Sequence, residues 1–142
     1  NITETGITEL VRGCPQITNL AIAYCDWFND ASVTILSSGL TNITALDLTG
    51  CDITDASVVA LSNRCTQLTT LNFSWCDKIT DASVVALSNG CPKLKELDLI
   101  DCDNITDAGV NVLRQSRLTI RRGVRRNSTS DNYGWILMTR DR

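Results

Sequence analysis

The sequence predicts an α/β fold, a right-handed solenoid with a parallel sheet on its concave side and short helices on its convex side. The phrase ITDASVVALSN occurs twice, at 53–63 and 79–89, and related phrases recur every 25–26 residues. Between them runs a second phrase in which apolar residues alternate, as in a strand with one buried face. A unit of this length buries its apolar stripe only by stacking, so we expect about four repeats in a horseshoe segment.

The strand half of each repeat reads apolar-x-x-Leu-x-apolar-x-x-Cys. It occurs as ITNLAIAYC, ITALDLTGC, LTTLNFSWC and LKELDLIDC, starting at 17, 43, 68 and 94. The Leu and the apolar residue two positions later share one face, which predicts the core side of the sheet. RLTIRR at 117–122 keeps one Leu-x-Ile pair and predicts a fifth strand.

The helical half begins at a phrase of the form ITDASV, found at 2–7, 28–33, 53–58, 79–84 and 105–110. In the fourth copy Val84, Leu87 and Cys91 fall at i, i+3 and i+7, which places them on one face of a helix. An aspartate precedes this face in four copies, and we expect each to cap its helix N-terminus: Asp30, Asp55, Asp81 and Asp107.

Two regions differ in charge. Residues 1–116 contain 6 Lys/Arg and 14 Asp/Glu, whereas 117–142 contain 7 Arg and 2 Asp. We predict a solenoid over 1–120, beginning within a repeat, and a basic C-terminal cap or flexible tail over 121–142. The acidic body argues against nucleic acid as a partner, and the basic segment has no recognisable nucleic-acid-binding motif.

Composition narrows the class of protein. The chain has 142 residues, 43% of them hydrophobic and 20% charged, as in a globular domain. No apolar run is long enough to span a bilayer, and the first residues do not resemble a signal peptide. Histidine is absent, which removes Ser-His-Asp and Cys-His catalysis. We therefore expect no enzymatic activity, no cofactor and no metal.

Seven cysteines form two ladders with one thiol per repeat. The loop ladder is Cys25, Cys51, Cys76 and Cys102, and the helix-end ladder is Cys14, Cys65 and Cys91. A zinc site needs ligands that converge on one point, and a 25–26-residue spacing does not provide that. Leu40 occupies the missing helix-end position, which favours packing over chemistry. We expect small, buried, free thiols.

These cysteines, the Cys-Pro pairs at 14–15 and 91–92 and the ITDA phrases resemble the cysteine-containing class of leucine-rich repeats. That class occurs in F-box/leucine-rich-repeat proteins and antagonist-of-mitotic-exit-network-like proteins. The resemblance implies a non-enzymatic, cytoplasmic or nuclear protein-binding module. It implies either the substrate-recognition repeats of an F-box-type ubiquitin-ligase receptor, whose adaptor binds a region outside this chain, or a stand-alone regulatory protein. An extracellular recognition receptor is the alternative. N-x-S/T sequons bear on it, and we interpret them as by-products of the Thr/Ser-rich repeats; there are five, at Asn1, Asn42, Asn72, Asn104 and Asn127.

The outward-facing strand residues and the residues before the loop cysteines form the candidate partner-binding set. On the predicted concave face these are Tyr24, Asp47, Asn72, Trp75, Glu96, Asp98 and Asp101. Exposed aromatic residues beside carboxylates commonly build interaction surfaces. The set predicts a protein partner with a basic docking segment. Alternatively, Trp75 folds back over the loop edge.

An aspartate follows each loop cysteine, giving a second acidic ladder: Asp26, Asp52, Asp77 and Asp103. Stacked at about 4.8 Å, these carboxylates would repel one another. They predict a cation site or a docking ridge for a basic partner, or carboxylates that accept hydrogen bonds from the loop backbone.

Overall fold

The structure, a computed structural model, describes residues 4–114 and 118–123 and the backbone of 135–138. Its helices are α1 (Glu4–Gly13), α2 (Asp30–Gly39), α3 (Asp55–Arg64), α4 (Asp81–Gly90) and α5 (Asp107–Leu113). Its strands are β1 (Asn19–Ala21), β2 (Ala45–Asp47), β3 (Thr70–Asn72), β4 (Glu96–Asp98), β5 (Thr119–Gly123) and β6 (Trp135–Met138). Strand and helix alternate from α1 to β5, as the repeats predict.

The strands form one sheet in chain order. β1 to β5 pair in parallel, and the register aligns the central residue of each of the first four strands with the second residue of β5: Leu20, Leu46, Leu71, Leu97 and Ile120. β6 pairs antiparallel with β5. The predicted α/β solenoid is confirmed. The rest of the predicted cap or tail, 124–134 and 139–142, lies outside the described residues.

Each strand with the turn and helix that follow it forms one level. Within the described part of the chain, each helix packs on the helix before and after it, and each strand pairs with its neighbours. The central strand leucines of the middle levels are at most 2% exposed, and Phe73 and Leu61 are fully buried between sheet and helices. The core is therefore continuous along the stack, and no level buries its apolar stripe alone.

The helix-initial aspartates do not cap their own helices, contrary to the prediction. The N-cap is the residue before each of them: Asn29, Thr54, Thr80 and Thr106. The Thr80 hydroxyl, for example, accepts a hydrogen bond from Ala82 N at 3.2 Å. The aspartate is the first helical residue instead, and its carboxylate points to the next level.

There the aspartates form a ladder between levels. Asp55 accepts hydrogen bonds from Thr80 N at 2.8 Å, Thr80 Oγ1 at 2.7 Å and Ser83 Oγ at 2.5 Å. Asp30 makes the same set with Thr54 and Ser57. Burial on its own would raise the pKa of Asp30 and Asp55, but these hydrogen bonds outweigh it and lower both pKa values. The ladder thus joins consecutive helix N-termini with ionised carboxylates.

Both ends of this ladder depart from the pattern. Ser32 Oγ is buried and has no hydrogen-bond partner in the described part of the chain; Glu4 stands in the sequence where the preceding aspartate would be. At the other end Gly109 stands at the position of the serine, and the Asp81 carboxylate occupies the space that a Cβ there would take. Arg122 then pairs with Asp107 and donates to Ile105 O. Arg122 of β5 thereby supplies to Asp107 the hydrogen-bond donor that the next level supplies to the other aspartates.

The loop cysteines also link levels. The thiols of Cys51, Cys76 and Cys102 donate to backbone carbonyls of the preceding level at 2.8, 3.2 and 3.0 Å. All seven cysteines are free. Burial raises the pKa of Cys76 and Cys102 to about 12, and that of Cys51, Cys65 and Cys91 to about 11.

Two cysteines at the start of the stack differ from the others. Cys25 is only half-buried and Cys14 is exposed, where burial was expected. Both belong to the first described units, and the described residues include no earlier level that could cover them.

Candidate functional site

Four predicted binding residues lie together on the outward face of the sheet, and we call them the strand group: Asp47, Asn72, Glu96 and Asp98. The parallel register aligns Asp47 with Asn72 and Asn72 with Asp98. Glu96 begins the same strand that Asp98 ends. Glu96 is exposed and the other three are half-buried. Residues 25–26 positions apart in sequence therefore share one surface.

Two members of the strand group also fix the turn that follows them. Asp47 Oδ1 accepts hydrogen bonds from Thr49 N at 2.9 Å and from Thr49 Oγ1 at 2.5 Å. Asn72 Oδ1 accepts from Ser74 N at 2.9 Å. This is the usual way in which Asx side chains stabilise turns. Thr49 and Ser74 are buried, although strand alternation alone predicts them to face outward.

Asp98 has no such partner. Its Oδ1 is buried and accepts no hydrogen bond from the described residues, and Arg121 Nε lies 3.6 Å away. Burial raises the pKa of Asp98; Arg121 opposes this, and Glu96 and Asp47 add to it. The ion pair with Arg121 was not predicted. Extending the strand alternation into RLTIRR would have placed Arg121 beside Asp98, as the register does.

The other three predicted residues, the turn group, lie after the strands. Tyr24, Trp75 and Asp101 have φ values of 56°, 66° and 55°, and Gly50, at the equivalent position, has 66°. This left-handed conformation is easy for glycine and strained for other residues. Tyr24 and Trp75 are 70% and 43% exposed, whereas Asp101 is only 8% exposed. Asp101 therefore does not contribute the exposed carboxylate that was expected.

An open groove runs across the turns of successive levels, and we call it the turn groove. Its lining consists of Asp26, Gly50, Cys51, Asp52, Trp75, Asp77, Asp101 and Asp103. It brings the second acidic ladder together with Trp75 and Asp101. Lys78 Nζ lies 2.5 Å from Asp52 Oδ1, and this contact raises the pKa of Lys78. Among the described residues no acidic or cysteine cluster has the arrangement of a metal site.

Lysines mark the opposite edge of the sheet. A second groove there is lined by Thr69, Pro92, Lys93, Leu94, Lys95, Glu96 and Thr119. Lys93 Nζ donates to Gln67 Oε1 at 2.6 Å. The outward face is thus bounded by an acidic edge at the turns and by a lysine-bearing edge where the strands begin.

The repeats match a known family. A sequence model described as Leucine Rich repeat matches residues 39–62, 64–88 and 90–113, just over half of the chain. Each matched segment starts at a helix end and runs through the next strand, turn and helix. The matched unit is therefore the level seen in the structure. None of the helices in the described ranges has the length and apolar character needed to cross a bilayer.

Proposed function

This chain belongs to the leucine-rich repeat family, and from that premise we propose that its concave face binds a protein partner through a basic docking segment. Leucine-rich repeats form protein–protein interaction modules. A regular stack presents a continuous sheet face on which side chains from several levels act as one surface.

The observation that carries the proposal is the strand group. Its four members lie on three adjacent strands, and three of them are carboxylic acids, Asp47 on β2 and Glu96 and Asp98 on β4. Asp47 and Asn72 are held by hydrogen bonds to their own turns, so the surface is ordered before a partner binds. A basic segment would complement its charge, and the exposed Tyr24 and Trp75 beside it would provide apolar contacts.

The finer role that we propose is substrate recognition in an F-box-type ubiquitin-ligase receptor, or regulation by a stand-alone repeat protein. The regular ladder of loop cysteines, with free thiols bonded to the carbonyls of the preceding level, supports this. Reduced thiols suit the cytoplasm or nucleus. The role that we propose is non-enzymatic, and an adaptor would bind a region outside this chain.

Affinity capture with the full-length gene product, followed by mass spectrometry, tests the proposal when variants are compared. Glu96→Lys reverses an exposed charge on the concave face. Arg64→Glu reverses one at the end of α3 and serves as the matched control. We expect Glu96→Lys to weaken partner binding about tenfold at low salt and Arg64→Glu to leave it unchanged.

The opposite outcome would place the interface on the helices. An F-box adaptor among the captured proteins would support the ubiquitin-ligase role. A partner captured without an adaptor would support the stand-alone regulatory role. Occupied sequons or paired cysteines in the native protein would instead support the extracellular receptor.

A further inference from the structure

Asp101 is the buried carboxylate of the turn groove. It is 8% exposed, it lines the groove, and its Oδ2 has no hydrogen-bond partner among the described residues. A buried carboxylate oxygen without a donor is costly, and polar atoms buried in proteins are nearly always paired. The position therefore calls for a donor that enters the groove from outside.

The surroundings indicate the chemistry of that donor. Asp26, Asp52, Asp77 and Asp103 also line the groove, and all four are exposed. Lys78 pairs with Asp52 at one side of the groove. The other four carboxylates of the groove form no ion pair with a cation of the described residues, and the local field favours a positively charged ligand.

Trp75 adds a second requirement. Its side chain lines the same groove and is 43% exposed. An indole beside carboxylates suits a planar cation that stacks on the ring while donating hydrogen bonds at its edge. Arginine meets both needs, because its guanidinium is planar, permanently charged and carries five N–H donors.

We propose that the turn groove receives an arginine side chain of the protein partner, with its guanidinium donating to Asp101 and stacking on Trp75. This inference rests on the proposed protein-binding function and names the anchor of the basic segment. It places that anchor at the turns, beside the strand group rather than on it. Glycine would fit the left-handed position of Trp75 and Asp101 without strain, as Gly50 does, so the two side chains are retained against a conformational cost.

The test is a titration of the full chain with a capped heptapeptide in which arginine and glycine alternate. Binding is followed by the NMR shift of the Trp75 indole N–H, assigned with Trp75→Phe. The control peptide carries citrulline, which has nearly the same shape as arginine but no charge. We expect a saturable shift with the arginine peptide and none with the citrulline peptide.

Two variants then locate the binding site. Asp101→Asn removes the buried charge and suits the left-handed conformation, which asparagine also adopts. It should weaken binding about fivefold or more, since a charge-assisted hydrogen bond becomes a neutral one. Glu9→Gln removes one exposed charge from α1, outside both the strand group and the turn groove, and it should stay within about twofold of the parent.

Three results would overturn the inference: no saturable shift with arginine, equal binding of citrulline, or equal binding by Asp101→Asn and the parent. Circular dichroism melting checks that each variant is folded. If Asp101→Asn does not fold, the paired change Asp77→Asn with Asp103→Asn at exposed groove positions must weaken the peptide instead. Partner capture that still depends on Glu96 while the peptide fails would leave the proposed function standing and remove only the arginine site.

Discussion

Three serines at the same helix position should respond to alanine with opposite signs. Ser57 and Ser83 each donate to the aspartate of the preceding level, with Ser83 Oγ 2.5 Å from Asp55 Oδ1. Ser32 Oγ is equally buried and has no partner in the described part of the chain. The same substitution therefore removes a hydrogen bond in two levels and an unsatisfied hydroxyl in the first.

The magnitudes follow from these contacts. A hydrogen bond to a charged group contributes roughly 1.5–3 kcal/mol, and alanine's higher helix propensity returns up to about 0.5 kcal/mol. Ser57→Ala and Ser83→Ala should each lower the free energy of unfolding by about 1–2 kcal/mol. A buried hydroxyl without a partner costs roughly 1–3 kcal/mol. Ser32→Ala should therefore raise the free energy of unfolding by about 1 kcal/mol.

Urea unfolding followed by circular dichroism measures these differences, provided that the slope with denaturant is unchanged among the variants. Asp55→Ala with Ser83→Ala completes the set. The double change should cost less than the sum of the two single changes, because each single change leaves the other residue of the pair without its hydrogen bond. A loss for Ser32→Ala equal to that for Ser57→Ala would refute the ladder as the source of the effect.

Three further results are expected. Leu71 is fully buried between two levels, so Leu71→Ala should lower the free energy of unfolding by about 2–5 kcal/mol. Leu20 in the first strand is only half-buried, so Leu20→Ala should lower it clearly less. Equal losses in denaturant midpoint would contradict a stacked core. At about pH 8 native Cys76 and Cys102, whose pKa burial raises to about 12, should resist alkylation while Cys14 reacts quickly. Labelling after unfolding without reductant should reach all seven thiols, and a mass lower by pairs of hydrogens would show disulfides instead. Asp98→Asn should stabilise the fold near pH 7, because the raised pKa of Asp98 means that its ionised form opposes folding. This gain should vanish as the pH falls through that pKa, and a gain that persists at about pH 3 would mean that charge is not its cause.

The strands and helices could be predicted because each repeat has the same strand pattern and the same helix pattern. A register shift of one residue would turn Leu46, Leu71 and Leu97 from the core to solvent, so the pattern leaves one arrangement of the sheet. The strand group followed from the same alternation. Its position depends only on which face of each strand is buried.

The aspartate ladder was harder to predict, because both residues of each Thr-Asp pair are good N-caps. Thr54 caps α3, and Asp55 is left to reach the next level. The two roles can be told apart only when the repeats are stacked, because the donors that bind the aspartate belong to the next repeat. The threonine that precedes the aspartate in three copies is the sequence signal for this arrangement.

The turn group depended on backbone conformation. Strand alternation does not continue through a left-handed residue. It therefore predicts the outward orientation of Asp98 and Asn72 but not the orientation of Asp101 and Trp75. Gly50, aligned with Tyr24, Trp75 and Asp101, was a sequence signal for a positive φ at this position. The burial of Asp101 depends on the packing of neighbouring turns, which no single repeat encodes.

Carboxyl footprinting of the chain alone and with its captured partner tests the central claim, that the concave face binds protein, most directly. Glu96 is exposed on that face. Glu9 of α1, which is exposed and pairs with Arg12 at 3.2 Å, is the internal reference. Amidation of accessible carboxyl groups followed by mass spectrometry should show labelling of Glu96 falling in the complex while that of Glu9 stays constant. Unchanged labelling of Glu96, with protection confined to the helix carboxylates, would contradict the claim.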